Sequence, residues 1–77
     1  MPWGIEREGS ALRVNILAPM AGEWEPLMDE LQASLDPRPK AVYMPSQVTG
    51  GTHVDADMLK IVWRSVSDLG IPILNPR

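Results

Sequence analysis

The chain has 77 residues, no cysteine, and a formal net charge of −3 from seven basic and ten acidic residues. That length makes one domain at most, and a domain of that size buries only about 60% of the surface its unfolded chain exposes. Without cysteine there is neither a disulfide framework nor a thiolate metal site, and no apolar run approaches the roughly 20 residues that span a bilayer. The basic residues stand singly, so there is no cationic stripe of the kind that holds nucleic acid by releasing counterions. The first residues, Met1-Pro2-Trp3-Gly4-Ile5-Glu6, lack the basic-then-apolar pattern of a secretion signal. The expectation is a soluble cytoplasmic protein without cofactor, membrane insertion or nucleic-acid partner.

Residues 3–7 alternate weakly between apolar and polar. Leu12, Val14 and Ile16 alternate clearly with Arg13 and Asn15. Glu8-Gly9-Ser10 between them is a turn signal, so the two runs form a β-hairpin. Residues 18–22 break the second strand. Trp24, Leu27, Met28, Leu31 and Leu35 then recur at helical spacing, with Pro26 in the first turn, where a missing N–H breaks no helical bond. Asp36-Pro37-Arg38-Pro39 ends that helix.

A short strand over residues 40–44 has Val42 and Tyr43 at its centre and opens into a glycine-bearing loop over residues 45–53. The second helix starts near Val54 and Asp55 and carries Met58, Val62, Val66 and Leu69 on one stripe, widened by Leu59 and Trp63. Thr52 followed three residues later by Asp55 forms a capping box, with Asp in place of the usual Glu or Gln. Gly70 closes the helix, and residues 71–76 form a last strand, placed at an edge because Pro72 has no N–H for a ladder. The predicted fold is α/β: a small four-stranded mixed sheet with two helices in the order ββαβαβ. Right-handed crossovers make strands two, three and four parallel.

Two segments of this pattern resemble a known family. Ile5-Glu6-Arg7-Glu8-Gly9-Ser10-Ala11-Leu12-Arg13-Val14-Asn15-Ile16 is similar to the opening hairpin of STAS domains, the small domains of anti-anti-sigma factors and sulfate transporter tails. Asp55-Ala56-Asp57-Met58-Leu59 stands where that family has Asp-Ser-Ser-Gly-Leu at the start of its second helix. The resemblance runs over nearly all of residues 1–77 in order of elements. It implies a single STAS-like domain lacking the family's final helix, acting as a regulatory protein-interaction module. Ala56 and Asp57 occupy the family's serine positions, so no hydroxyl is present there to be phosphorylated, and Asp57 supplies a permanent but smaller negative charge. Residues 43–50 and 70–76 also resemble the first strand-loop-helix-strand unit of nucleoside 2-deoxyribosyltransferase-like proteins. That family's catalytic carboxylate lies beyond such a unit.

The candidate partner-binding surface comprises Ser46, Thr49, His53, Asp55, Asp57 and Met58, taken as one exposed patch at the loop and the start of the second helix. Thr49, Gly50, Gly51 and Thr52 form a candidate phosphate loop, since free N–H groups and the positive end of a helix dipole meet there. The loop lacks the Lys-Ser/Thr pair of a P-loop, and Asp55 and Asp57 would repel an anion. His53, the single histidine, has no serine or cysteine nucleophile at a telling spacing and no defined metal partners. Pro2 is followed by a hairpin rather than the helix that follows the catalytic amino-terminal proline of tautomerases. Trp24 and Trp63 fall on core stripes, and Trp3 fits either an edge-strand core position or an exposed contact. No catalytic and no metal-ligating residue is assigned. The expected function is non-enzymatic binding of a protein partner. The alternatives are a nucleotide- or nucleoside-binding domain and a homodimer formed across the last strand.

Overall fold

A computed structural model describes residues 2–17, 19–48 and 50–76. Strands β1 (Trp3–Glu8) and β2 (Ala11–Ile16) pair antiparallel, with Trp3 opposite Ile16 and Glu8 opposite Ala11. The two-residue turn between them needs one positive φ at its first position. Gly9 supplies it at 60°, the pattern of a II′ turn that follows the twist of the strands. Helix α1 (Trp24–Ser34) leads to β3 (Ala41–Tyr43), and α2 (His53–Ser67) leads to β4 (Ile73–Leu74).

The sheet order is β1-β2-β3-β4, with β3 parallel to both β2 and β4. Both crossovers therefore advance in the same direction across the sheet, which with right-handed connections puts both helices on one face. The helices do meet there. Trp24 of α1 donates its indole N–H to Asp55 of α2 at 2.9 Å, and the Ser65 hydroxyl lies 3.7 Å from the Met28 sulfur.

Between sheet and helices lies one core of Trp3, Leu12, Val14, Met20, Trp24, Leu27, Leu31, Val42, Met44, Leu59, Val62, Val66 and Ile71. The alternation in β2 sends Leu12 and Val14 inward and Arg13 and Asn15 to the opposite face. On that opposite face Arg13 pairs with Glu8 at 3.1 Å and lies over the Tyr43 ring.

Three details differ from the sequence reading. The helical stripe does not extend to Leu69, which is 41% exposed, because α2 ends at Ser67 and Leu69 sits in the turn before Gly70. The last strand contracts to two residues. Its neighbour Pro72 still contributes, its carbonyl accepting the Val42 N–H at 3.0 Å. Met20, in a segment taken only as a strand breaker, is fully buried and accepts the Glu23 N–H. Trp3 takes the core alternative, with its indole N–H directed to Glu23 at 3.4 Å. Among the described residues, no helix is long and apolar enough to cross a membrane.

Candidate functional site

The N-terminus of α2 is closed by its own side chains. The Thr52 hydroxyl accepts the Asp55 N–H at 3.3 Å, and the Asp55 carboxylate accepts the Thr52 N–H at 3.1 Å, completing the capping box that the spacing predicts. The same carboxylate accepts the Trp24 indole N–H, and Asp55 is only 5% exposed. These donors hold its carboxyl below the ordinary carboxylate range. The Trp24 N–H has the largest effect and the Thr52 backbone N–H follows, while desolvation opposes both. Asp55 is therefore part of the interior and does not belong to an exposed binding patch.

This arrangement also bears on the candidate phosphate loop. A side-chain carbon built on Gly51 would come within 3.0 Å of Asp55 Oδ2 and of Val48 Cγ1. The capping carboxylate thus fills the space beside Gly51 and takes the N–H that a phosphate would use. An added anion would face a buried negative charge at close range, which outweighs the dipole term of about 1 kcal/mol or less at a helix end. Thr49 lies outside the described residues, so its part in either candidate set has no structural account. Gly51→Ala is expected to cost about 1–3 kcal/mol in a urea melt. Gly4→Ala, where an added carbon meets nothing within 4 Å, should stay within about 0.5 kcal/mol and serves as the control.

The other predicted residues separate. His53 and Asp57 are exposed, and with Lys60 and Arg64 they recur at i, i+4, i+7 and i+11, which places all four on one outer side of α2. Ser46 stands beside that stripe in the loop after β3. Met58 is half-buried and falls on the opposite flank of the helix from Lys60 and Arg64.

A groove joins Ser46 to the stripe. Its larger part, about 470 Å³, is lined by Ser46, Leu59, Lys60, Trp63, Arg64, Ser67 and Asp68. A second part of about 400 Å³ shares Ser46, Leu59 and Lys60 and continues along Gln47, Val48 and Ala56. The groove exists because Trp63 donates its indole N–H to the Pro45 carbonyl at 2.8 Å, tying the loop after β3 against α2. Leu59 and the Trp63 ring give an apolar floor. Lys60 and Arg64 give a cationic rim, and neither side chain makes an ion pair with another described residue. Asp68 places one opposing charge at the far end.

Sequence reasoning missed Leu59, Lys60, Trp63, Arg64 and Ser67 as site residues. A signal was present: two cations at i and i+4 bracketing a tryptophan on one helix. Among the described residues no three His, Asp or Glu side chains gather as a metal site would require. No family model matches the chain, and no curated protein or solved structure is significantly similar to it.

Proposed function

We propose that the chain is a non-enzymatic interaction module that receives an acidic segment of a protein partner in the groove between the loop after β3 and the outer side of α2. The observation that carries this reading is the pairing of an apolar floor, Leu59 and Trp63, with a cationic rim, Lys60 and Arg64, that makes no ion pair with another described residue. Such a surface fits a peptide with one aliphatic or aromatic side chain among Asp and Glu. The buried side chain supplies most of the affinity, and the rim charges set encounter rate and orientation. Ser46 lines the groove, and His53 and Asp57, on the same outer side of α2 as Lys60 and Arg64, contact the partner's flanks.

The order and parallel pairing of the elements suit the STAS resemblance, and regulation by partner exchange suits a module of that kind. Asp57 and the exposed start of α2 then act as a fixed surface rather than as a phosphorylation switch. The nucleotide alternative loses support at residues 50–52, where the Asp55 carboxylate already takes the Thr52 N–H.

Calorimetry with peptides carrying a single Leu or Trp flanked by Glu and Asp tests the reading against purine nucleotides as the competing probe. The expected result is peptide binding that weakens steeply with salt and no heat from the nucleotides. Nucleotide binding with no response to any acidic peptide would remove the proposal.

A further inference from the structure

We propose that the outer edge of β1 pairs, antiparallel and centred on Ile5, with the same edge of a second copy of this chain, joining the two sheets into one. The inference goes beyond the groove and does not depend on it, since β1 lies at the opposite edge of the sheet from β4, against which α2 packs.

The hydrogen-bond phase of the hairpin decides which groups face outward. The Pro2 carbonyl accepts the Leu17 N–H at 2.6 Å, so positions 2, 4, 6 and 8 direct their backbone groups toward β2. The N–H and C=O groups of Trp3, Ile5 and Arg7 therefore point away from the sheet. None of them makes a backbone hydrogen bond elsewhere among the described residues. Such a row is a template for another strand. The opposite edge is not equivalent: β4 has two residues, and since the Pro72 and Leu74 carbonyls take the Val42 and Met44 N–H groups, Ile73 alone within the strand directs its backbone groups outward.

Geometry then selects both partner and register. A continuous sheet that keeps the helices of both copies on one face needs a two-fold axis perpendicular to the sheet, lying midway between one residue of β1 and its own copy and named by that residue. An axis through Ile5 sets Ile5 against its own copy, Trp3 against the partner's Arg7, and Gly4 against the partner's Glu6. Every outward N–H and C=O of the three residues is then satisfied. An axis through Glu6 opposes two carboxylates at the close, non-hydrogen-bonded spacing, and an axis through Gly4 or Arg7 leaves outward groups unpaired. Charge favours the same register. Glu23 sits against the Trp3 indole, so the partner's Arg7 arrives beside both a carboxylate and an aromatic ring. Arg7 uses one terminal nitrogen to hold the Ser34 and Pro37 carbonyls, at 2.7 and 2.9 Å.

The test combines mass with site-resolved exchange. Sedimentation across a concentration series is expected to reach a mass near twice 8.5 kDa. Over the same series, amide exchange slows at Trp3, Ile5 and Arg7, while Gly4, Glu6 and Glu8 are protected at every concentration. Gly4→Glu, which faces the partner's Glu6, weakens association roughly tenfold, and Gly4→Lys strengthens it, because each contact occurs twice per dimer. A carbon at Gly4 meets nothing within 4 Å, so both variants fold. A monomer at millimolar concentration overturns the proposal. So does a dimer whose Trp3, Ile5 and Arg7 amides exchange freely, or one that responds equally to both substitutions.

Discussion

Asp55→Ala is expected to destabilise the protein more than any other substitution of a polar side chain. Two N–H groups lose their acceptor at once, that of the Trp24 indole and that of the Thr52 backbone, while the Thr52 hydroxyl keeps the Asp55 backbone N–H. Thr52→Ala removes only the cap hydroxyl and should cost about 1 kcal/mol. Asp55→Ala exceeds it because a buried indole N–H, fixed between the helices, is left without an acceptor. The effect reaches the tertiary structure, since the Trp24–Asp55 bond is what couples the N-termini of α1 and α2.

The same carboxylate gives stability a definite pH dependence. Its folded pKa is lowered from an ordinary value of 3.8, principally by the Trp24 N–H and then by the Thr52 backbone N–H. A group whose pKa falls on folding contributes stability that is present above the unfolded value and is lost as pH drops through the folded one. Urea midpoints should therefore fall as the medium is acidified below pH 3.8, and Asp55→Asn should flatten that part of the curve while lowering stability at neutral pH. Wild-type and Asp55→Asn curves that run parallel through the acid range would show that the carboxylate is not held in this way.

The second large effect concerns the groove. Lys60→Glu combined with Arg64→Glu is expected to weaken binding of an acidic peptide about tenfold or more in low salt, since each exposed charge contact is worth about 0.2–1 kcal/mol and two are reversed. Both side chains are exposed and make no ion pair with another described residue, so the melting temperature should stay close to wild type. Added salt should narrow the difference between the two proteins, because the rim is solvated and screened. Trp63→Phe tests the floor separately. It keeps an apolar ring but removes the N–H that ties the Pro45 carbonyl, so the loop after β3 loosens and affinity falls without any change in rim charge.

Much of the fold was legible because it is encoded locally. The alternation of Leu12, Val14 and Ile16, the glycine of the first turn, and the Leu27–Leu31 spacing each specify an element without reference to the rest of the chain. The Thr52–Asp55 cap was legible for the same reason. What that spacing could not convey is that Asp55 also meets Trp24, 31 residues earlier, and so turns inward. Asp57, two positions on, faces the opposite side of the helix and is exposed.

The burial of Met20 depends on how an irregular segment folds under both helices, and no periodicity marks it. The groove was hidden for a related reason. Lys60 and Arg64 looked like scattered surface charges until the Trp63–Pro45 contact, spanning 18 residues, set a loop beside them.

Amide NMR mapping with an acidic peptide bearing a single tryptophan, and with a purine nucleotide titrated in parallel, separates binding in the α2 groove from binding at the N-terminus of α2. Saturable shifts are expected at Lys60, Trp63, Arg64 and Ser67 with the peptide, including the Trp63 indole N–H, with Gly50, Gly51 and Thr52 unmoved by either probe. Nucleotide-induced shifts that saturate at Gly50, Gly51 and Thr52 while the α2 groove stays silent would contradict binding in the groove, and would return the helix N-terminus to the centre of the protein's function.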